Sequence, residues 1–233
     1  MPARLRPTAP IAADAILVGD PGRALLLAQG LLEQPKMSNH ARGLWGYTGR
    51  TSAGRELTLQ STGMGGPSAA LVLDDLAELG VRRAVRVGTC TGVGERARLG
   101  ELLVAVEART WSVAGGSAGE SFAPDATLTE ELRRALGEAA RNAAIASLDR
   151  LPLSAVPFAR ISGKRNSGEQ GAEVDAEAAD MQTAALFEHG AAHGVAIAAV
   201  LVVSETSAGS VGDEELKRAV MTAGDAAAAV LSS

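Results

Sequence analysis

The sequence predicts an α/β fold in a single domain spanning residues 1–233. Short apolar runs alternate with segments of helical periodicity. The longest apolar run, 195–203, is far short of a membrane span and reads as a central strand buried on both faces. The 233 residues show no internal repeat and are enough for one sizeable core.

The elements follow in order. Residues 15–18 form a short buried strand ending at Gly19, and 23–32 a helix. Residues 44–50 and 56–61 read as strands joined by a turn at 52–54. A helix at 68–79 places Ala69, Val72, Leu73, Leu76 and Leu79 on one face, and Gly80 closes it. Residues 84–88 and 101–108 are strands. Thr127 and Glu130 match a capping box, predicting a helix over 128–147. A long Ala-rich helix is expected over 174–193, stopped by Gly194, and Asp213 is expected to cap a last helix reaching about 230. The Gly/Ser-rich stretches 112–124 and 162–171 read as loops.

Composition narrows the function. A formal charge of −5 with no basic stripe argues against nucleic acid. The first ten residues carry no apolar signal core, and no run is long enough to cross a bilayer. The single cysteine, Cys90, excludes an intrachain disulfide and suits a reducing, cytoplasmic setting. His40, His189 and His193 share no evident ligand set. The last two could face one way on a helix, but no acidic residue visibly joins them, so no metal site is expected.

Three segments carry chemistry. In Gly19-Asp20-Pro21-Gly22-Arg23 a strand ends, the chain turns sharply and a helix begins. Backbone N–H groups then point toward an anion and Arg23 adds a forked donor, although an ordinary strand–helix turn would read the same. Arg86 interrupts an apolar strand, Ala84-Val85-Arg86-Val87-Gly88. A buried guanidinium requires either a carboxylate or a bound anion. Thr89 follows at the strand's carboxyl end, where open α/β sheets bind ligands. In Gly63-Met64-Gly65-Gly66-Pro67-Ser68 the glycines permit close backbone approach and Ser68 can cap the next helix, which needs no ligand to explain it.

Together with Asn39-His40-Ala41-Arg42-Gly43-Leu44-Trp45-Gly46-Tyr47-Thr48-Gly49, these segments resemble the nucleoside phosphorylase-I family of hexameric purine nucleoside phosphorylases and uridine phosphorylases. The resemblance covers essentially the whole chain. It implies a three-layer fold with a central mixed, twisted β-sheet flanked by helices. It also implies nucleoside metabolism by phosphorolysis, in which inorganic phosphate attacks C1′ and releases base and pentose 1-phosphate without a cofactor. By this matching Gly19, Arg23, Arg86 and Thr89 bind phosphate, joined by Arg42 of a neighbouring subunit in a homohexamer built from dimers. Met181 and Gln182 meet the sugar; Cys90, Thr91, Phe158 and Glu205 meet the base; Glu205 and Arg86 are the catalytic candidates.

Five departures fall on the nucleoside half. The family's Glu-Met-Glu is Asp180-Met181-Gln182 here, so a charged acceptor of the ribose hydroxyls becomes a neutral amide with one acceptor and one donor group. Glu205 stands where purine-specific members have an aspartate, which leans toward a purine; a solvated loop carboxylate is the alternative. Thr91 is larger than the usual residue, no aromatic follows Phe158, and the N-terminal histidine is absent. The competing readings are a nucleosidase, disfavoured because related hydrolases lack the first arginine motif, and a non-catalytic homologue.

Overall fold

The structure, a computed structural model, describes residues 4–150 and 176–233. Phe158 and the expected loop at 162–171 lie outside the described residues. The elements run β1 (Asp14–Val18), α1 (Pro21–Leu31), β2 (Glu33–Asn39), β3 (Gly46–Arg50), β4 (Glu56–Ser61), α2 (Gly66–Glu78), β5 (Arg83–Gly92), β6 (Leu102–Ser112), β7 (Ser117–Phe122), α3 (Ala126–Leu136), β8 (Ala140–Leu148), β9 (Ala178–Asp180), α4 (Thr183–His193), β10 (Ala196–Thr206), β11 (Gly209–Ser210) and α5 (Asp213–Leu231).

The expected α/β architecture with a mixed central sheet is what the chain adopts. Period-two alternation in the strands divides the core into two layers. Ile16, Val18, Val85, Val87, Val200 and Val202 pack toward α1, α3 and α5, through residues such as Ala24, Leu27, Leu132 and Ala227. Ala15, Leu17, Ala84, Ala199 and Leu201 pack on the opposite side, toward α2 and α4, through Val72, Leu76, Leu186 and Phe187. Each fully buried Leu or Ile contributes about 1.5–3 kcal/mol relative to exposure, so the alternation itself fixes the register of the central strands.

The sheet does more than twist. β5 pairs in parallel with both β1 and β10. β10 pairs with β6, β6 with β8, β8 with β9, and β9 returns to pair with the far end of β5. These five strands close a ring, from which β1, β4, β3 and β2 extend as an open wing. The first half of β5 therefore lies between β1 and β10, and its last residues, Thr91 and Gly92, lie between β9 and β10. The split opens at the carboxyl end of β1, and that gap positions the site.

Several expectations are corrected. The helix expected over 128–147 ends at Leu136. Gly137, at φ 54°, turns the chain out of the helix, and the Ala-rich stretch after it is β8. Its N-cap is Asp125, which accepts a hydrogen bond from the Leu128 N–H, in place of the Thr127–Glu130 box. The helix expected over 174–193 begins only at Thr183, after the short strand β9; Gly194 does stop it, in the left-handed region. The loop expected at 112–124 contains β7, which pairs with β6. Ser68 does not cap α2, because its hydroxyl donates to the Thr62 carbonyl at 2.6 Å. Asp213 is the first residue of α5, and Gly212 is the cap.

Candidate active site

Arg86 sits on β5 with its neighbours in alternation: Val85 and Val87 enter one core layer, and Arg86 faces the other with Ala84 and Gly88. Gly88 leaves room for it, since a Cβ there would lie 2.8 Å from Arg86 Cζ. Arg86 is 4% exposed, and every nitrogen of its guanidinium has a partner. Nε donates to Thr183 Oγ1 at 3.2 Å, Nη1 to Gln182 Oε1 at 2.6 Å and Nη2 to Asp180 Oδ2 at 2.9 Å. The carboxylate that a buried guanidinium requires is Asp180, and Arg86 borders the site cavity as well. Asp180 is itself held by Ser147 Oγ at 2.6 Å, by Thr183 Oγ1 at 2.7 Å and by the Thr183 N–H at 3.0 Å. With that many donors around it, the carboxylate is fixed in place as well as paired.

Gln182, 3% exposed, is equally constrained. Its Oε1 accepts from Arg86 and from Thr62 Oγ1 at 3.1 Å, and its Nε2 donates to the Gly63 carbonyl at 2.7 Å and the Gly65 carbonyl at 3.4 Å. Both ends of this amide are used, a pattern no carboxylate could reproduce, because a carboxylate has no donor for Gly63.

These residues border a cavity of about 640 Å³. Its lining includes Gly19, Arg23, Arg86, Thr89, Cys90, Thr91, Met181, Gln182 and Glu205. The residues expected for anion, sugar and base within one subunit thus meet in one place, apart from Phe158, which lies outside the described residues. The amino ends of three helices open onto the same space: α1 beside Asp20 and Arg23, α2 after Gly63–Gly65, and α4 after Asp180–Gln182. Their dipoles add partial positive charge where an anion would sit. Arg23 donates to Thr89 Oγ1 at 3.2 Å, and among the described residues no carboxylate forms an ion pair with it. Burial lowers its pKa, with Asp20 opposing and Arg86 reinforcing the effect. It remains charged throughout the physiological range.

Glu205 reaches the rim because β10 carries a bulge between Val203 and Glu205, which sets Glu205 opposite Thr91. It is exposed. Cys90 is buried and its thiol points at the Val202 carbonyl, 3.6 Å away, so it forms wall and makes no polar contact with the cavity. Arg42 is not brought to this cavity. It lies on an exposed turn with a left-handed backbone, φ 58°.

Sequence reasoning passed over Asp180, Thr62, Ser147 and Thr183. The sequence signalled that a buried arginine needs a counter-charge, but nothing in it singled out Asp180 as that partner. The structure also corrects the view that no acidic residue joins the histidine pair. Asp74 Oδ1 lies 2.8 Å from His189 Nδ1 and 3.0 Å from His193 Nε2.

Two arginines and three helix starts line a gap in the sheet, a concentration of positive potential suited to an anion. The family model described as the phosphorylase superfamily matches residues 14–233, and the chain belongs to that superfamily. It is 32% identical over 199 residues to a DeoD-type purine nucleoside phosphorylase of Alkaliphilus metalliredigens, covering 84% of this chain and 83% of that protein. It is likewise 32% identical over 198 residues to the DeoD-type purine nucleoside phosphorylase of Clostridium perfringens, covering 84% and 82%. Among solved structures, uridine phosphorylase from Vibrio fischeri superposes with a TM-score of 0.78 at 21% identity, covering 95% of this chain and 92% of that one. The 5'-methylthioadenosine/S-adenosyl homocysteine nucleosidase of Campylobacter jejuni gives 0.78 at 16%, covering 93% and 97%. These last two establish likeness of fold.

Proposed function

We propose that the protein is a pentosyltransferase that cleaves the N-glycosidic bond of a nucleoside with inorganic phosphate, giving free base and pentose 1-phosphate. The observation that carries this reading is Arg23, charged and without a carboxylate ion-pair partner among the described residues, lining with Arg86 a cavity bordered by three helix amino ends. Phosphate seated there attacks C1′ from below the sugar as the C–N bond breaks, and the bonding pair leaves with the base. Met181 and Gln182 border the sugar's place, and Gln182 must give up one of its present partners to bond a sugar hydroxyl. The Glu205 carboxyl, exposed at the rim beside Thr91, passes a proton to the departing base and regains it from solvent. A purine is favoured, because that carboxyl has a base to address and the relatives above are named for purine nucleosides.

The test is release of base from a panel of nucleosides with and without phosphate. Phosphate-dependent release is expected, together with a melting temperature that rises with phosphate concentration. Release independent of phosphate would make the protein a nucleosidase. No release from any nucleoside, with an unresponsive melting temperature, would leave a non-catalytic homologue.

Arg42 acts from a neighbouring subunit in this reading. Its exposure and its left-handed backbone, a conformation that a non-glycine residue holds at a cost of about 1–3 kcal/mol, support that role. The expected assembly is a homohexamer of dimers, in keeping with a cytoplasmic enzyme. Light scattering at micromolar concentration is expected to give at least a dimer. A monomer with full activity would remove Arg42 from the site.

A further inference from the structure

A second constellation lies outside the cavity and owes nothing to the nucleoside chemistry. α2 and α4 run side by side on one face of the sheet. Asp74 is on α2; His189 and His193 are one turn apart on α4, so their rings share a face. The ring centroids are 6.3 Å apart, with planes tilted by 31°. Both rings direct a nitrogen at the same oxygen, Asp74 Oδ1, at 2.8 and 3.0 Å, and the three ligating atoms lie within 4.8 Å of one another. The side chains of Asp74, His189 and His193 are 25%, 32% and 43% exposed. An ion could therefore arrive from solvent, and a fourth ligand could be water.

We propose that Asp74, His189 and His193 form a binding site for a zinc-type divalent cation that ties α2 to α4. Two imidazoles and a carboxylate are a donor set that zinc accepts readily, with three protein ligands and one open position. Bonds of about 2.0–2.1 Å in a tetrahedral site separate neighbouring ligand atoms by about 3.3 Å. The two separations to Asp74 fall short of that by a few tenths of an ångström, a gap that rotation of these partly exposed side chains can supply. His193 is the last residue of α4, where the helix dipole favours a cation. The two helices that the ion would join begin at Gly66 and Thr183, next to the loops bordering the cavity. A cation here would thus stiffen two walls of the site from the far side.

Full-length protein treated with chelator and exchanged into metal-free buffer at neutral pH is titrated with Zn²⁺ against a chromophoric chelator. One ion per chain is expected, with a rise in melting temperature. His193→Ala and His189→Ala are each expected to weaken uptake at least tenfold, the lower bound for loss of one ligand in three, whereas His40→Ala leaves it unchanged. Co²⁺ bound to the unsubstituted protein provides a measurement that does not depend on variants folding. It is expected to give a four-coordinate visible band and paramagnetically shifted imidazole N–H resonances from two histidines. Failure to take up a stoichiometric ion overturns the proposal. So does uptake that survives both histidine substitutions undiminished, or a cobalt spectrum without shifted imidazole resonances.

Discussion

Arg86→Met is expected to lose phosphate-dependent turnover by 10²-fold or more and to lower the unfolding free energy by about 3–5 kcal/mol. The two effects have different origins. The catalytic loss follows from removing a preorganised cation from the place proposed for the attacking oxyanion. The stability loss follows from Asp180, whose side chain is 1% exposed and would remain buried without its counter-charge. Asp180→Asn separates them. It retains an acceptor for Ser147 but leaves the Arg86 charge uncompensated, so the folded state should become more dependent on bound anion. Phosphate should then raise its melting temperature more than it does for the unsubstituted protein. The double variant should lose less stability than the two single changes added together, as partners in one network do. Urea unfolding with and without phosphate, alongside kcat/KM, reads all of this. Turnover within threefold of normal in a folded Arg86→Met protein would remove Arg86 from the anion site.

Gln182→Glu is expected to split the kinetics. On sequence grounds, a carboxylate here restores the negative charge that stabilises an oxocarbenium-like sugar, raising kcat/KM for ribonucleosides by roughly 10–10³-fold. The structure adds an opposing effect. With Gln182, the charges of Arg23 and Arg86 are already offset by Asp20 near Arg23 and by Asp180 against Arg86. Glutamate at 182, against Arg86 Nη1, would add a further negative charge to the site proposed for phosphate. One unit charge about 8 Å from a bound anion, in an effective dielectric of about 20, is worth about 2 kcal/mol, roughly thirtyfold in affinity. The phosphate KM should therefore rise by roughly that factor, while the gain with ribonucleosides shows only at saturating phosphate. The variant also loses the donor to the Gly63 carbonyl and should be less stable by about 1–3 kcal/mol. Unchanged constants for both substrates would mean that residue 182 does not face the reacting groups.

The residues proposed for phosphate stand out in the sequence because their signals are local. Gly19 to Arg23 is a strand end and a helix start within five residues, and Arg86 betrays itself as a charge in an apolar strand. Asp180 was not readable as its partner, because 94 residues separate them and the contact exists only once β9 closes the ring. Two helix expectations failed where alanine misled. At 140–148 and 178–180, alanine's helix propensity is overridden by burial between neighbouring strands. β7 escaped notice because it is a largely exposed strand paired with β6. Asp74 and the histidines are distant in sequence and meet only through the packing of α2 on α4.

Cys90 gives the experimenter something neither turnover nor melting supplies. It is the chain's one thiol, it is 4% exposed, and it forms part of the cavity wall. Burial, with Asp180's negative charge adding to it, pushes its pKa up, so the closed state holds almost no reactive thiolate at neutral pH. A thiol reagent therefore reacts fastest in states where local opening frees the thiol from the Val202 carbonyl. With no other sulfhydryl to confuse the count, each adduct records one such opening; the native-state alkylation rate gives the free energy of that opening at low reagent, and its frequency once the rate stops rising with reagent.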